Sequence, residues 1–119
     1  MYINVIKMDG MNIAEIQSDD VEIKDVRDAL DLMANCDFRG ARKIIIDEKN
    51  IDPEFFSLKS GIAGQIIQKF VNYKVNLAIV GDFSKYPGES FKAFVYECNK
   101  TKQVVFADTV HEAIRLLSA

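Results

Sequence analysis

A hydroxyl followed by a glycine, Ser60-Gly61, stands where a polar loop gives way to a run with helical spacing. At such a junction a serine can be phosphorylated, can meet a ligand, or can cap the helix, whose first turn leaves backbone N–H groups without partners. Two carboxylates stand at related junctions. Asp47 closes the apolar run Ile44-Ile45-Ile46, and Asp82 follows Val75-Asn76-Leu77-Ala78-Ile79-Val80-Gly81. Carboxylates placed in this way bind a cation, act as acid or base, or cap loops. Ser84, Lys85 and Ser90 come soon after Asp82 in a ten-residue stretch, 81–90. That is long for a strand-to-helix connection, and such loops are where binding concentrates. Its Phe83 and Tyr86 read either as a partner-contacting pair or as a lid over the core. Its glycines do not follow the spacing of a phosphate-binding loop.

Other reactive side chains point to little chemistry. His111 is the one histidine; it is expected in the first turn of the last helix, away from the edge that carries the carboxylates. With no second histidine and no paired cysteines, neither a zinc site nor a cofactor is expected. Cys36 and Cys98 lie on the apolar sides of helical stretches and read as buried, reduced thiols of a cytoplasmic protein. Arg39, Arg42 and Lys43 form the densest basic group and read as a solvated strand entrance. No group of residues forms a catalytic triad.

These residues need elements to position them. Asp9-Gly10 between 2–8 and 11–17 is a strong two-residue hairpin signal. Val26, Ala29, Leu30, Met33 and Ala34 recur at helical spacing and predict a helix over about 24–36. The run of isoleucines in 43–47 predicts a strand covered on both faces. Strands are also predicted over 75–80 and 103–107. A third helix is expected to start at Ser90 as N-cap, and a fourth at the capping-box pattern Thr109-Val110-His111-Glu112. The region before 75 is ambiguous. Either a helix opens near Ser60, or Asp52-Pro53 starts one long helix over 53–73 with Ser60 in its middle.

The order is β-β-α-β-α-β-α-β-α, an α/β fold with a mixed five-stranded sheet and an N-terminal hairpin. The 119 residues suit one domain, 1–119. Hydrophobic residues at 49% and charged residues at 28% describe a soluble globular chain, and a net charge of −3 offers no footprint for nucleic acid. No apolar run approaches the ~18 residues of a membrane span, and the first residues lack the pattern of a signal peptide.

Element order and motif together resemble the STAS domain, the fold of the bacterial anti-sigma factor antagonists. Leu58-Lys59-Ser60-Gly61-Ile62-Ala63-Gly64 and Leu77-Ala78-Ile79-Val80-Gly81 match that family's motifs in type and spacing, and Ser60 falls on its phosphorylatable serine. The chain departs from the family at Leu58-Lys59, where an acidic-hydroxyl pair is usual, and in a longer loop after Asp47. The resemblance implies a regulatory protein-interaction module with a protein partner, such as a kinase-like regulator, switched at Ser60. A second resemblance is to a small bacterial family of similar length that carries Phe-Phe, Gly-x-Ala-Gly and Gln-Lys-Phe-Val-Asn-Tyr, here Phe55-Phe56, Gly61 to Gly64 and Gln68 to Tyr73. It implies no activity.

The expected contact residues are Asp47, Lys59, Ser60, Gly61, Asp82, Phe83, Ser84, Lys85 and Tyr86. Parallel strands present their carboxyl ends together, so Asp47, Ser60 and Asp82 are expected in one side-chain network. An interaction module without catalysis is the first reading. A domain binding an anionic or lipid-like small molecule at the same edge is the second, and an enzyme the third. The oligomeric state is left open.

Overall fold

The sequence pattern is realised as one sheet with helices on both faces. The computed structural model describes residues 1–118. Its strands are β1 (Tyr2–Met8), β2 (Met11–Gln17), β3 (Lys43–Asp47), β4 (Asn76–Val80) and β5 (Val104–Ala107). Its helices are α1 (Val26–Phe38), α2 (Ile62–Tyr73), α3 (Glu89–Thr101) and α4 (Val110–Ser118). The hairpin turns at Asp9 and Gly10, both with positive φ, 50° and 79°. That backbone matches the twist of the flanking strands, and Asp-Gly tolerates it.

The strands lie in sequence order, β1-β2-β3-β4-β5, with β1 antiparallel and the rest parallel. Each parallel connection steps one strand in the same direction. Right-handed crossovers therefore bring α1, α2 and α3 to one face. There they bury Ala29, Leu32, Met33, Cys36, Ala63, Ile66, Phe70 and Phe91 against Ile44, Ile46, Leu77, Ile79, Val104 and Phe106. No crossover follows β5, so α4 is free to cover the opposite face, where Ala113 and Leu117 meet Ile45, Ala78, Val80, Val105 and Ala107. The continuous apolar runs of β3 and β4 are thus divided residue by residue between two cores.

Helix starts depart from the sequence expectation in three places. Helix α1 starts two residues later than predicted, with the Asp25 carboxylate accepting from the N–H of Asp28. Helix α3 is preceded by Gly88 at φ 108°, and Ser90 lies inside the first turn rather than capping it. Residues 53–73 are neither one helix nor a helix capped by Ser60. Two 3-10 turns, Pro53–Phe56 and Leu58–Ser60, lead to Gly61 in the left-handed region at φ 77°, and α2 begins after it. A long helix fails because Phe55 and Phe56 are both buried. A straight helix would carry these neighbours 100° apart, whereas the turns let both rings reach the core.

Candidate functional site

The carboxyl ends of the parallel strands carry the residues singled out above, but a neighbour that sequence reasoning missed holds them together. Glu48 follows β3 and its side chain is only 10% exposed. One carboxylate oxygen accepts from the backbone N–H of Asp82 at 3.2 Å and pairs with Lys85 Nζ at 2.9 Å. The other accepts from the Tyr86 hydroxyl at 2.9 Å. Gly81 makes room for this, since a Cβ there would lie 2.7 Å from Glu48 Cγ. A Cβ at this position would force the Glu48 side chain to shift away from these partners. The loop after β4 is in this way pinned to the end of β3 by one carboxylate that is largely shielded from solvent.

Asp47 and Asp82 have local tasks. Asp47 accepts from the N–H of Lys49 at 2.9 Å and caps the turn Glu48–Asn50. Asp82 accepts from the Ser84 hydroxyl at 2.6 Å and the Ser84 N–H at 3.0 Å. These two bonds hold its carboxyl below the ordinary carboxylate range, the hydroxyl contributing most. A carboxylate held ionised and fully in solvent suits capping and is a poor proton donor. The two carboxylates do not form an acid-base pair. Among the described residues, no group of three or more His, Cys, Asp or Glu is arranged to hold a metal ion.

Phe83 and Tyr86 are a lid. Tyr86 stacks on Phe56 at 4.9 Å between ring centroids, and Phe83 meets Phe106 edge-on at 5.0 Å. Phe91 completes the group, 5.1 Å from Tyr86. Burial and the bond to Glu48 push the Tyr86 hydroxyl up to about 12. Lys85 Nζ sits 5.6 Å from the Tyr86 ring centroid, where a cation is attracted to the ring face. The rings of Phe56, Phe83, Tyr86 and Phe91 pack together behind the loop after β4.

Ser60 stands apart from Asp47 and Asp82. Its Oγ donates toward the carbonyls of Glu54 and Ser57, each at 2.9 Å, and accepts from the N–H of Ile62 at 3.2 Å. The expected single side-chain network is therefore not formed. The link between the two parts is aromatic, through Phe56 in the turn before Ser60 and Tyr86 in the loop after β4. Lys59, Ser60 and Gly61 are all exposed. The last helix starts where expected, but the placement of His111 differs, because only two residues separate β5 from α4 and the helix therefore begins at this same edge. His111 is thus near the edge, though exposed, and Val110 lines a hollow of about 270 Å³ with Asp19, Asp47 and Lys49. In the capping box only half forms: Thr109 Oγ1 accepts from the N–H of Glu112, while the Glu112 carboxylate turns to Arg115. Cys36 is buried as expected, but Cys98 is half-buried in the groove between α2 and α3.

Sequence reasoning also missed Asn50, the one buried polar residue among those described, at 1% exposure. Its amide donates to the carbonyls of Ser18 and Asp20, and its own backbone carbonyl accepts from Glu22 and Ile23. It ties the loop after β2 to the loop after β3. A polar residue next to a strand end was the only signal, and many surface residues share it.

No curated protein matches the chain. A solved structure described as that of a candidate anti-sigma factor antagonist from Thermotoga maritima is similar over 98% of this chain and 95% of that one, at 18% identity and a TM-score of 0.48. No helix is long and apolar enough to cross a membrane among the described residues. The family model DUF4180, a domain of unknown function, matches residues 8–117, and the chain belongs to that family.

Proposed function

We propose that this chain is a STAS-like, cytoplasmic protein-interaction module without catalytic activity. Its contact surface is the rim formed by Lys59, Ser60 and Gly61 and by the loop from Asp82 to Tyr86, and phosphorylation of Ser60 switches it. The observation that carries this reading is the setting of the Ser60 hydroxyl. It is exposed, and its hydrogen bonds are all to backbone groups of the loop that leads into α2.

A phosphoester oxygen cannot donate. Phosphorylation would break both bonds to the carbonyls of Glu54 and Ser57 and set a charge of about −1.5 to −2 beside them. The N–H of Ile62 already points at Oγ, and the free N–H groups of the first turn of α2 favour an anion there. Modification would move the loop from its carbonyl partners toward the helix end, changing both the shape and charge of the rim. The aromatic filling behind the loop favours a surface for a macromolecule over a cavity for a small one.

The test compares the tagged wild-type chain with Ser60→Asp and Lys59→Glu, recovered from the cells that naturally express it. The expected result is a protein partner retained by the wild type and lost with both variants, whose melting temperatures stay close to wild type. Mass spectrometry of the recovered wild type is expected to find phosphate on the peptide containing Ser60. Partners retained equally by all three folded proteins, with Ser60 unmodified, would sink the reading.

A further inference from the structure

The two outer strands of the sheet have backbone groups with no strand beyond them, and only one is closed. On β5 the side-chain amide of Asn99, from α3, receives the N–H of Phe106 at 2.7 Å and donates to its carbonyl at 3.4 Å. One asparagine thus imitates a neighbouring strand. On β1 nothing comparable exists. No backbone group of residues 1–8 bonds to anything outside the β1–β2 ladder among the described residues. The strand is seven residues long, without proline or bulge, and Lys7 is its single charge. Edges of this kind are usually blunted by charge, proline or a cover, because they template pairing with another chain. Large hydrophobic residues are exposed at both ends of the strand: Met1 at 55% and Tyr2 at 62% at one, and Met8 at 38% at the other.

We propose that β1 pairs antiparallel with β1 of a second copy of this chain about a two-fold axis, joining the two sheets into one. The strand is self-complementary about Val5. A register centred there sets Tyr2 against the second copy's Met8, Ile3 against Lys7 and Asn4 against Ile6. Residues directly opposite in an antiparallel pair share a face. Tyr2 and Met8 of the two copies therefore cover one another on the face that α4 leaves open, since α4 packs on β3, β4 and β5. The only charges are kept apart, because the two Lys7 residues fall four positions from one another, about 13 Å along the strands. The Asn99 block on β5 makes the assembly close as a dimer instead of growing into a fibre. This proposal does not depend on the role given to Ser60.

Sedimentation velocity over a concentration series tests it. The wild type is expected to reach twice the mass of the chain at high micromolar concentration. The double variant Tyr2→Lys/Met8→Lys places like charges opposite one another twice and is expected to weaken the dimer by roughly tenfold or more. Tyr2→Glu/Met8→Lys places opposite charges there and is expected to restore it. A wild type that stays monomeric throughout, or a dimer that survives the double lysine variant, would overturn the proposal. Should the lysine variant fail to fold by circular dichroism, hydrogen exchange of the wild type decides. The outward-facing amides of β1 are expected to slow as concentration rises, and fast exchange at every concentration would reject the pairing.

Discussion

The edges of this sheet are finished in opposite ways, and the difference lies in which elements lie beside them. Strand β5 runs beside α3, so a helix residue, Asn99, can occupy the place of a missing strand. Strand β1 is the other edge, and among the described residues no helix lies beyond it, so its outer groups are left to solvent or to another chain. The carboxyl rim resembles the closed edge. There too one side chain, Glu48, gathers groups from a neighbouring loop, in this case the Asp82 N–H, Lys85 and Tyr86. A few polar side chains fix the closed boundaries, whereas the open one has none.

That contrast can be broken most forcefully at Glu48. Glu48→Ala removes the shared acceptor of three donors and is expected to cost about 2–3 kcal/mol. Chemical denaturation should show the loss, and exchange of amides in 82–86 should rise. Asn99→Ala is the matching test at the β5 edge. It leaves the Phe106 N–H and carbonyl without their partner, at about 2 kcal/mol, or a fall of roughly 8 °C in melting temperature. It also opens the second edge, so light scattering should detect species larger than a dimer.

Tyr86→Phe sharpens the picture with a smaller effect, about 1 kcal/mol at neutral pH. Here the direction with pH is informative. The Tyr86 hydroxyl is raised from 10 to about 12 in the folded state. Its contribution is therefore fully present below pH 10 and is lost as pH rises through about 12. The stability of the wild type should fall across that window, and the fall should be shallower in Tyr86→Phe. The smallest effect is at Ser60. Ser60→Ala gives up bonds to exposed carbonyls that water can satisfy, so a loss under about 1 kcal/mol is expected in thermal melts. Ser60→Asp should behave alike, because the site is exposed and no carboxylate has to be desolvated.

The candidate site was only partly legible in the chain. Asp47 and Asp82 were found because each ends an apolar strand, and their placement at one edge follows from parallel pairing. Their task was not legible. A capping carboxylate and a reactive one share the same residue type, and only partners distinguish them. Glu48 is one residue beyond the strand that drew attention to Asp47, and nothing in its neighbours signals burial. Its role depends on Gly81, Lys85 and Tyr86, more than thirty residues away.

Local patterns along the chain were enough to specify the main strands and helices and their order. Alternating runs, the Asp-Gly turn and helical stripes are local signals, and right-handed connection of parallel strands then leaves few ways to arrange them. Tertiary structure alone decided how the junctions are built. Residues 53–61 form two turns because both Phe55 and Phe56 find the core, a preference that outweighs the helical start offered by Asp52-Pro53. It also decided that Asn50 is buried, that Phe83 and Tyr86 cover the core, and that one edge of the sheet is closed while the other is not. These outcomes rest on contacts between residues far apart in the chain, whose energies exceed the local preferences that periodicity and capping patterns report.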